Sequence, residues 1–116
     1  RERLQISTEI TLPEDLPLAD ILQQLPHLAE DLWQQSARKK VQFRSITIKL
    51  KTADFRILTR SQTFSAALPD TAALLTAAQQ TARRMPAGDT TYRLIGLGVS
   101  HLEPLGQQIA LWQEEE

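Results

Sequence analysis

Lys49 and Lys51 stand two residues apart in Ile46-Thr47-Ile48-Lys49-Leu50-Lys51, and such spacing puts both cations on one side of an extended chain. They belong to a basic stretch. From Arg38 to Arg60 there are eight basic residues and one acidic, although the whole chain carries a formal charge of −1. A local patch of this kind matters more to a polyanion than the net charge does, because each ammonium or guanidinium that meets a phosphate releases a counterion. The plainer alternative is a solvated face. Gly96 and Gly98 add backbone without side chains where another backbone must come close.

Catalytic chemistry finds no comparable support. The carboxylates are scattered, so two-metal phosphoryl transfer has no clustered set. Glu14-Asp15 reads as a charge pair at a helix start, Asp54 as a turn residue, and His27, among leucines beside Pro26, as structural. His101 is at most a backbone contact. There is no cysteine, and two separated histidines make no zinc site, so no catalytic residue, metal site or cofactor is expected in this chain. No apolar run approaches the roughly 20 residues of a membrane span. A soluble, cytoplasmic monomer with no membrane partner is expected. Arg1 is not a methionine, which suggests a piece of a longer protein.

The elements that position the cations follow from periodicity. Leu4, Ile6, Ile10 and Leu12 alternate as a first strand that Pro13 stops. Apolar residues from Leu18 to about Lys40 recur at helical spacing, with Pro26 kinking or splitting the helix. Ile46 to Leu50 and Phe55 to Phe64 form a hairpin around Thr52-Ala53-Asp54. Asp70 or Thr71 caps a second helix through Arg84, with Ala73, Leu74, Ala77 and Ala78 on one face, and a fourth strand runs from about Thr91 to Leu102.

The order β-α-β-β-α-β predicts an α+β fold: a four-stranded antiparallel sheet with both helices on one face. Residues 1–103 form the domain and 104–116 an extended C-terminal tail. Alternation leaves Thr47, Lys49 and Lys51 on the open face, with Leu94, Gly96, Gly98 and Ser100 from the last strand. Taking Phe55 and Ile57 as inward adds Arg56, Leu58, Arg60 and Gln62. An RNA-recognition module shares this element order but stacks bases on aromatics of its central strands, and the open face offers no aromatic pair.

Phe55-Arg56-Ile57-Leu58-Thr59-Arg60-Ser61-Gln62-Thr63, preceded by Asp54, resembles the hairpin strand of the little-finger domain of Y-family translesion polymerases of the DNA polymerase IV type. Glu9-Ile10-Thr11-Leu12 with Glu14-Asp15, Ile48-Lys49-Leu50-Lys51, and Arg93-Leu94-Ile95-Gly96-Leu97-Gly98-Val99-Ser100 fall in that family's order and spacing. The resemblance implies a non-catalytic domain that grips the phosphates of primer-template DNA. Templated nucleotide addition and its magnesium would belong to the palm of a parent DNA-directed DNA polymerase. It implies DNA contacts at Lys49, Lys51, Thr59, Arg60, Ser61, Gln62, Thr63, Arg93, Leu94, Gly96 and Gly98. Gln62 and Gly98 stand where some relatives have arginine, which implies a weaker grip.

Gln108-Ile109-Ala110-Leu111-Trp112 resembles the clamp-binding peptide of bacterial polymerases, implying the sliding clamp (the DNA polymerase III beta subunit) as a partner. In that mode Gln108 bonds a rim while Ile109, Leu111 and Trp112 fill an apolar cleft. The competing class is a protein-interaction module with the same sheet and no nucleic-acid role.

Overall fold

The computed structural model describes residues 5–105. Its elements run β1 (Ile6–Pro17), α1 (Leu18–Ile21), a 3-10 turn (Leu22–Gln24), α2 (Leu25–Lys39), β2 (Val41–Gln42), β3 (Ser45–Thr52), β4 (Ile57–Thr63), α3 (Thr71–Ala82), β5 (Thr91–Ser100) and β6 (Glu103–Pro104). The four long strands form one antiparallel sheet in the order β1-β5-β3-β4, so the expected α+β architecture stands.

The central strands β3 and β5 carry the core. Ile46, Ile48 and Leu50 face Val99, Leu97 and Ile95 across the ladder, and all six are buried on the helix side. Burying one such side chain contributes about 1.5–3 kcal/mol, enough to fix the register, since a slip of one residue would turn the whole row to solvent. Helix α2 supplies Leu25, Leu28, Ala29 and Leu32 over β1 and β5. Helix α3 supplies Leu74, Ala77 and Ala78 over β3 and β4, and its alanines let it lie close. Trp33 meets Phe43 edge to face at 5.6 Å between ring centroids, closing one end of the core.

Local chemistry explains the helix boundaries. Asp70 caps α3, accepting from the Ala73 N–H at 2.8 Å, so one orphan donor of the first turn is satisfied. The expected split of the first helix falls just before Pro26, which sits in the first turn of α2, where its missing N–H is not needed. Tyr92 is fully buried, its phenol donates to the Pro86 carbonyl at 2.6 Å, and burial pushes its pKa above the ordinary tyrosine value.

Three expectations are corrected. Pro13 does not stop the first strand: β1 pairs with β5 through Thr11, shifts register over residues 12–15 while staying extended, and pairs again at Leu16 and Pro17, where a proline on an edge strand deprives no neighbour of a ladder bond. Glu14 and Asp15 therefore lie exposed in this irregular stretch of β1 and not at a helix start. Past β5, Glu103 and Pro104 pair with Gln42 and Val41, and the Leu105 N–H donates to the Lys40 carbonyl at 2.9 Å. His27 is exposed on α2, outside the core.

Candidate nucleic-acid interface

Opposed residues of an antiparallel pair point to the same face, so the register assembles the open face row by row. One row crosses all four strands as Glu9, Gly96, Lys49 and Thr59. The next toward the start of β3 is Ser7, Gly98, Thr47 and Ser61, and the row on the other side is Thr11, Leu94, Lys51 and Ile57. A shallow trough runs over the two glycines, walled by Ser7, Glu9, Thr47, Lys49 and Thr59.

The two ends of this face differ in chemistry. At one end Thr47 Oγ1 and Ser61 Oγ lie 2.8 Å apart, and Ser45 Oγ lies 2.7 Å from Thr63 Oγ1 and also meets His101 Nδ1. The Thr47–Ser61 pair uses one O–H between its members, which leaves the other free to donate to an incoming oxyanion. At the opposite end the Arg93 guanidinium lies 4.3 Å from the centroid of the Phe55 ring, and Lys51 Nζ lies 5.7 Å from it. The electron-rich ring face holds both cations near each other without neutralising either.

Arg93 reaches this face through an irregularity. Lys51 pairs with Leu94 and Thr52 with Tyr92, so Arg93 is an extra residue in β5. A bulge of this kind re-aims a side chain that strict alternation would send inward. Phe55 arrives by a different device. Ala53, Asp54 and Phe55 form a three-residue loop closed by the Thr52 N–H donating to the Arg56 carbonyl at 2.8 Å. Phe55 has a φ of 69°, the left-handed slot that such loops usually give to glycine. The loop also sharpens a carboxylate: the Thr52 hydroxyl donates to Asp54 and, with the Arg56 guanidinium at 3.3 Å, holds the Asp54 pKa below its ordinary value despite slight desolvation.

This loop corrects the facing expected for β4. It fixes Ile57 opposite Lys51, so Ile57, Thr59, Ser61 and Thr63 point to the open face, while Leu58, Arg60 and Gln62 share the helix side with Leu50, Ile48 and Ile46. Gln62 accepts from Thr81 Oγ1 of α3 at 3.3 Å, and Arg60 turns its guanidinium onto the carbonyl of Thr59 at 2.9 Å. Phe55 and Ile57 are exposed, 61% and 56%, where the sequence reading had them inward. The row Thr59, Ser61, Thr63, all hydroxyls two apart, was the signal for the other parity.

The basic stretch of the sequence does not fold into one patch. Arg38 and Lys39 end α2 and Lys40 caps it, Arg44 approaches Glu103 at 4.0 Å, and Arg56 pairs with Asp54. Lys49 and Lys51 reach the open face as expected, as do Leu94, Gly96 and Gly98. A Cβ at Gly96 would sit 3.1 Å from that of Glu9, whereas one at Gly98 would meet Ser7 at an ordinary 3.4 Å. Among the described residues no group of three His, Cys, Asp or Glu side chains is placed to hold a metal ion, and no helix is long and apolar enough to cross a membrane. Gln108, Ile109, Ala110, Leu111 and Trp112 lie outside the described residues.

A two-helix domain whose sheet leaves a polar, cation-bearing face uncovered is thus defined. Residues 3–111 match the family described as the impB/mucB/samB family C-terminal domain, and the chain belongs to that family. It is 62% identical over 113 residues to DNA polymerase IV of Neisseria meningitidis serogroup C, covering 97% of this chain and 32% of that protein. The chain therefore spans about a third of the length of the curated relatives it matches. Among solved structures it resembles a Y-family DNA polymerase chimera, with a TM-score of 0.77 at 18% identity over 90% of this chain and 30% of the other. It also resembles the complex of the beta-clamp processivity factor and the little finger domain of PolIV, with a TM-score of 0.68 at 24% identity over 87% of this chain and 91% of that one.

Proposed function

We propose that the chain is the DNA-gripping and clamp-tethering domain of a translesion DNA polymerase, holding the phosphates of a primer-template duplex on the open face of its sheet. The observation that carries this reading is the uncovered cluster of Lys51, Arg93 and the β4 hydroxyls, on the face opposite the one against which the helices pack. Family membership supports it: the relatives are named as DNA polymerase IV, and one neighbour of the same fold is a little finger domain in complex with a clamp. The proposed contacts are Lys49, Lys51, Thr59, Ser61, Thr63 and Arg93, with backbone approach at Leu94, Gly96 and Gly98. Arg60 and Gln62 face the helices and drop to secondary positions at the strand edge.

Such a grip reads no bases, because cations and hydroxyls address phosphate oxygens whatever the sequence. The domain itself is non-catalytic in this reading. Nucleotide transfer and its magnesium ions belong to the palm of the parent polymerase, and residues 108–112 dock on the sliding clamp.

Binding of the chain to a primer-template duplex, followed by fluorescence anisotropy across a salt series, tests the reading. Lys51→Ala with Arg93→Ala is expected to weaken binding at least tenfold at low salt and to flatten the salt dependence by about two contacts, roughly 0.9 each in log-log slope. Equal affinity and slope would sink the assignment in favour of a protein-interaction surface. For the tail, Leu111→Ala with Trp112→Ala is expected to abolish clamp binding and leave the melting temperature unchanged. Lost stability with retained binding would mean that these residues pack on the domain instead.

A further inference from the structure

Lys49 and Lys51 are two residues apart on the same strand and the same face, yet the structure gives them different surroundings. Lys49 Nζ lies 3.0 Å from Glu9 Oε1. Lys51 stands over the Phe55 ring, and no carboxylate lies within ion-pair distance of it among the described residues. Glu9 and Lys49 are not on neighbouring strands: β5 runs between them, so their backbones are about 10 Å apart at the usual strand spacing. Their side chains meet because the intervening residue of that row is Gly96. A Cβ there would come within 3.1 Å of Glu9 Cβ, closing the space through which the carboxylate reaches the ammonium.

We infer that Glu9 is an affinity-setting residue: it occupies Lys49 in the free domain and so withholds one of the open-face cations from a DNA phosphate. This rests on the proposed DNA-binding reading and sharpens it. The physical argument is one of charge. An ammonium that already faces a carboxylate presents almost no net charge to an approaching phosphate, so binding there releases almost no additional counterion. Both groups of the pair are partly exposed, with side-chain accessibilities of 40% for Lys49 and 50% for Glu9, so the pair is labile and its carboxylate repels phosphate at close range. Arg93 and Lys51 at the other end of the face carry no such brake. The trough over Gly96 is thereby the weaker half of the surface, and its strength is set by a residue that never has to touch DNA.

Duplex affinity of the full chain, measured against salt for four proteins, tests this: the wild type, Glu9→Gln, Lys49→Ala and the double variant. Glu9→Gln is expected to bind on the order of tenfold more tightly near 0.05 M salt, with a log-log slope steeper by about 0.9, one further phosphate contact. Lys49→Ala is expected to weaken binding by several-fold less in the wild-type background than in the Glu9→Gln background, where the ammonium is free of its carboxylate. In the double variant the gain is expected to vanish, because without Lys49 there is no cation to release. An unchanged affinity and slope in Glu9→Gln overturns the inference. So does a gain that persists in the double variant, which would mark mere removal of a negative charge from the surface. Failure of the wild type itself to bind duplex would instead overturn the DNA-binding reading beneath it.

Discussion

The two faces of the same strands are built by different rules. On the helix side of β3, Ile46, Ile48 and Leu50 are interchangeable in kind: each is apolar, each is fully buried, and each meets another apolar residue from β5. On the open side Lys49 and Lys51 are chemically identical but not equivalent, because one faces a glycine and the carboxylate beyond it while the other faces Leu94 beside an aromatic ring. Position along a strand thus determines the role of a core residue, whereas a surface residue takes its role from what the register sets across from it.

The largest expected effect separates the faces outright. Leu50→Ala should cost about 2–5 kcal/mol in a urea unfolding experiment, the range for a buried leucine that leaves a cavity. Lys51→Ala, the next residue and on the opposite face, should change stability by less than about 0.5 kcal/mol. Comparable losses for the two variants would erase the division. A smaller effect probes the ring that organises the cationic end. Phe55→Gly removes left-handed strain of about 1 kcal/mol and also two cation–π contacts of about 0.5–1 kcal/mol each. Stability should therefore move by no more than about 1 kcal/mol, while duplex affinity falls severalfold and Phe55→Tyr retains it. The smallest effect is confined to the hairpin loop. The Asp54 pKa is depressed in the folded state, so its contribution is present above the ordinary carboxylate range and is lost as pH falls through the folded value. Amide exchange at Phe55 and Arg56 should quicken, relative to neighbouring amides, as the pH drops through that point, and Asp54→Asn should abolish the change.

Much of this is legible in the sequence alone. Alternation in Ile46 to Lys51 and Leu94 to Ser100 placed both central strands and their faces correctly, since one buried side imposes a strict period of two. The reading failed where that constraint is absent. Strand β4 lies at the sheet edge, where its open side carries Ile57 exposed and its helix side carries Arg60 and Gln62, so hydrophobicity gives its parity the wrong way round. Only the loop length, which pins Ile57 opposite Lys51, decides it. The bulge at Arg93 and the ion pair spanning Gly96 were beyond pattern reading for a related reason. Each depends on which residues of distant segments share a row, and that is set by the assembled register.

The two-residue pairing of β2 with β6 has a mechanical consequence. Strand β1 starts beside the end of β5, so the described chain enters and leaves the sheet at the same end. Antiparallel strands pulled apart from one end open rung by rung, the weakest way to load a ladder, because each hydrogen bond bears the force alone. Tension arriving from beyond Leu105 is met first by the Leu105–Lys40 bond and the Val41–Gln42 pairing, which anchor it to the end of α2. This short clip acts as a strain relief, so that a pull on the end of the chain need not unzip the strand on which the proposed phosphate contacts sit.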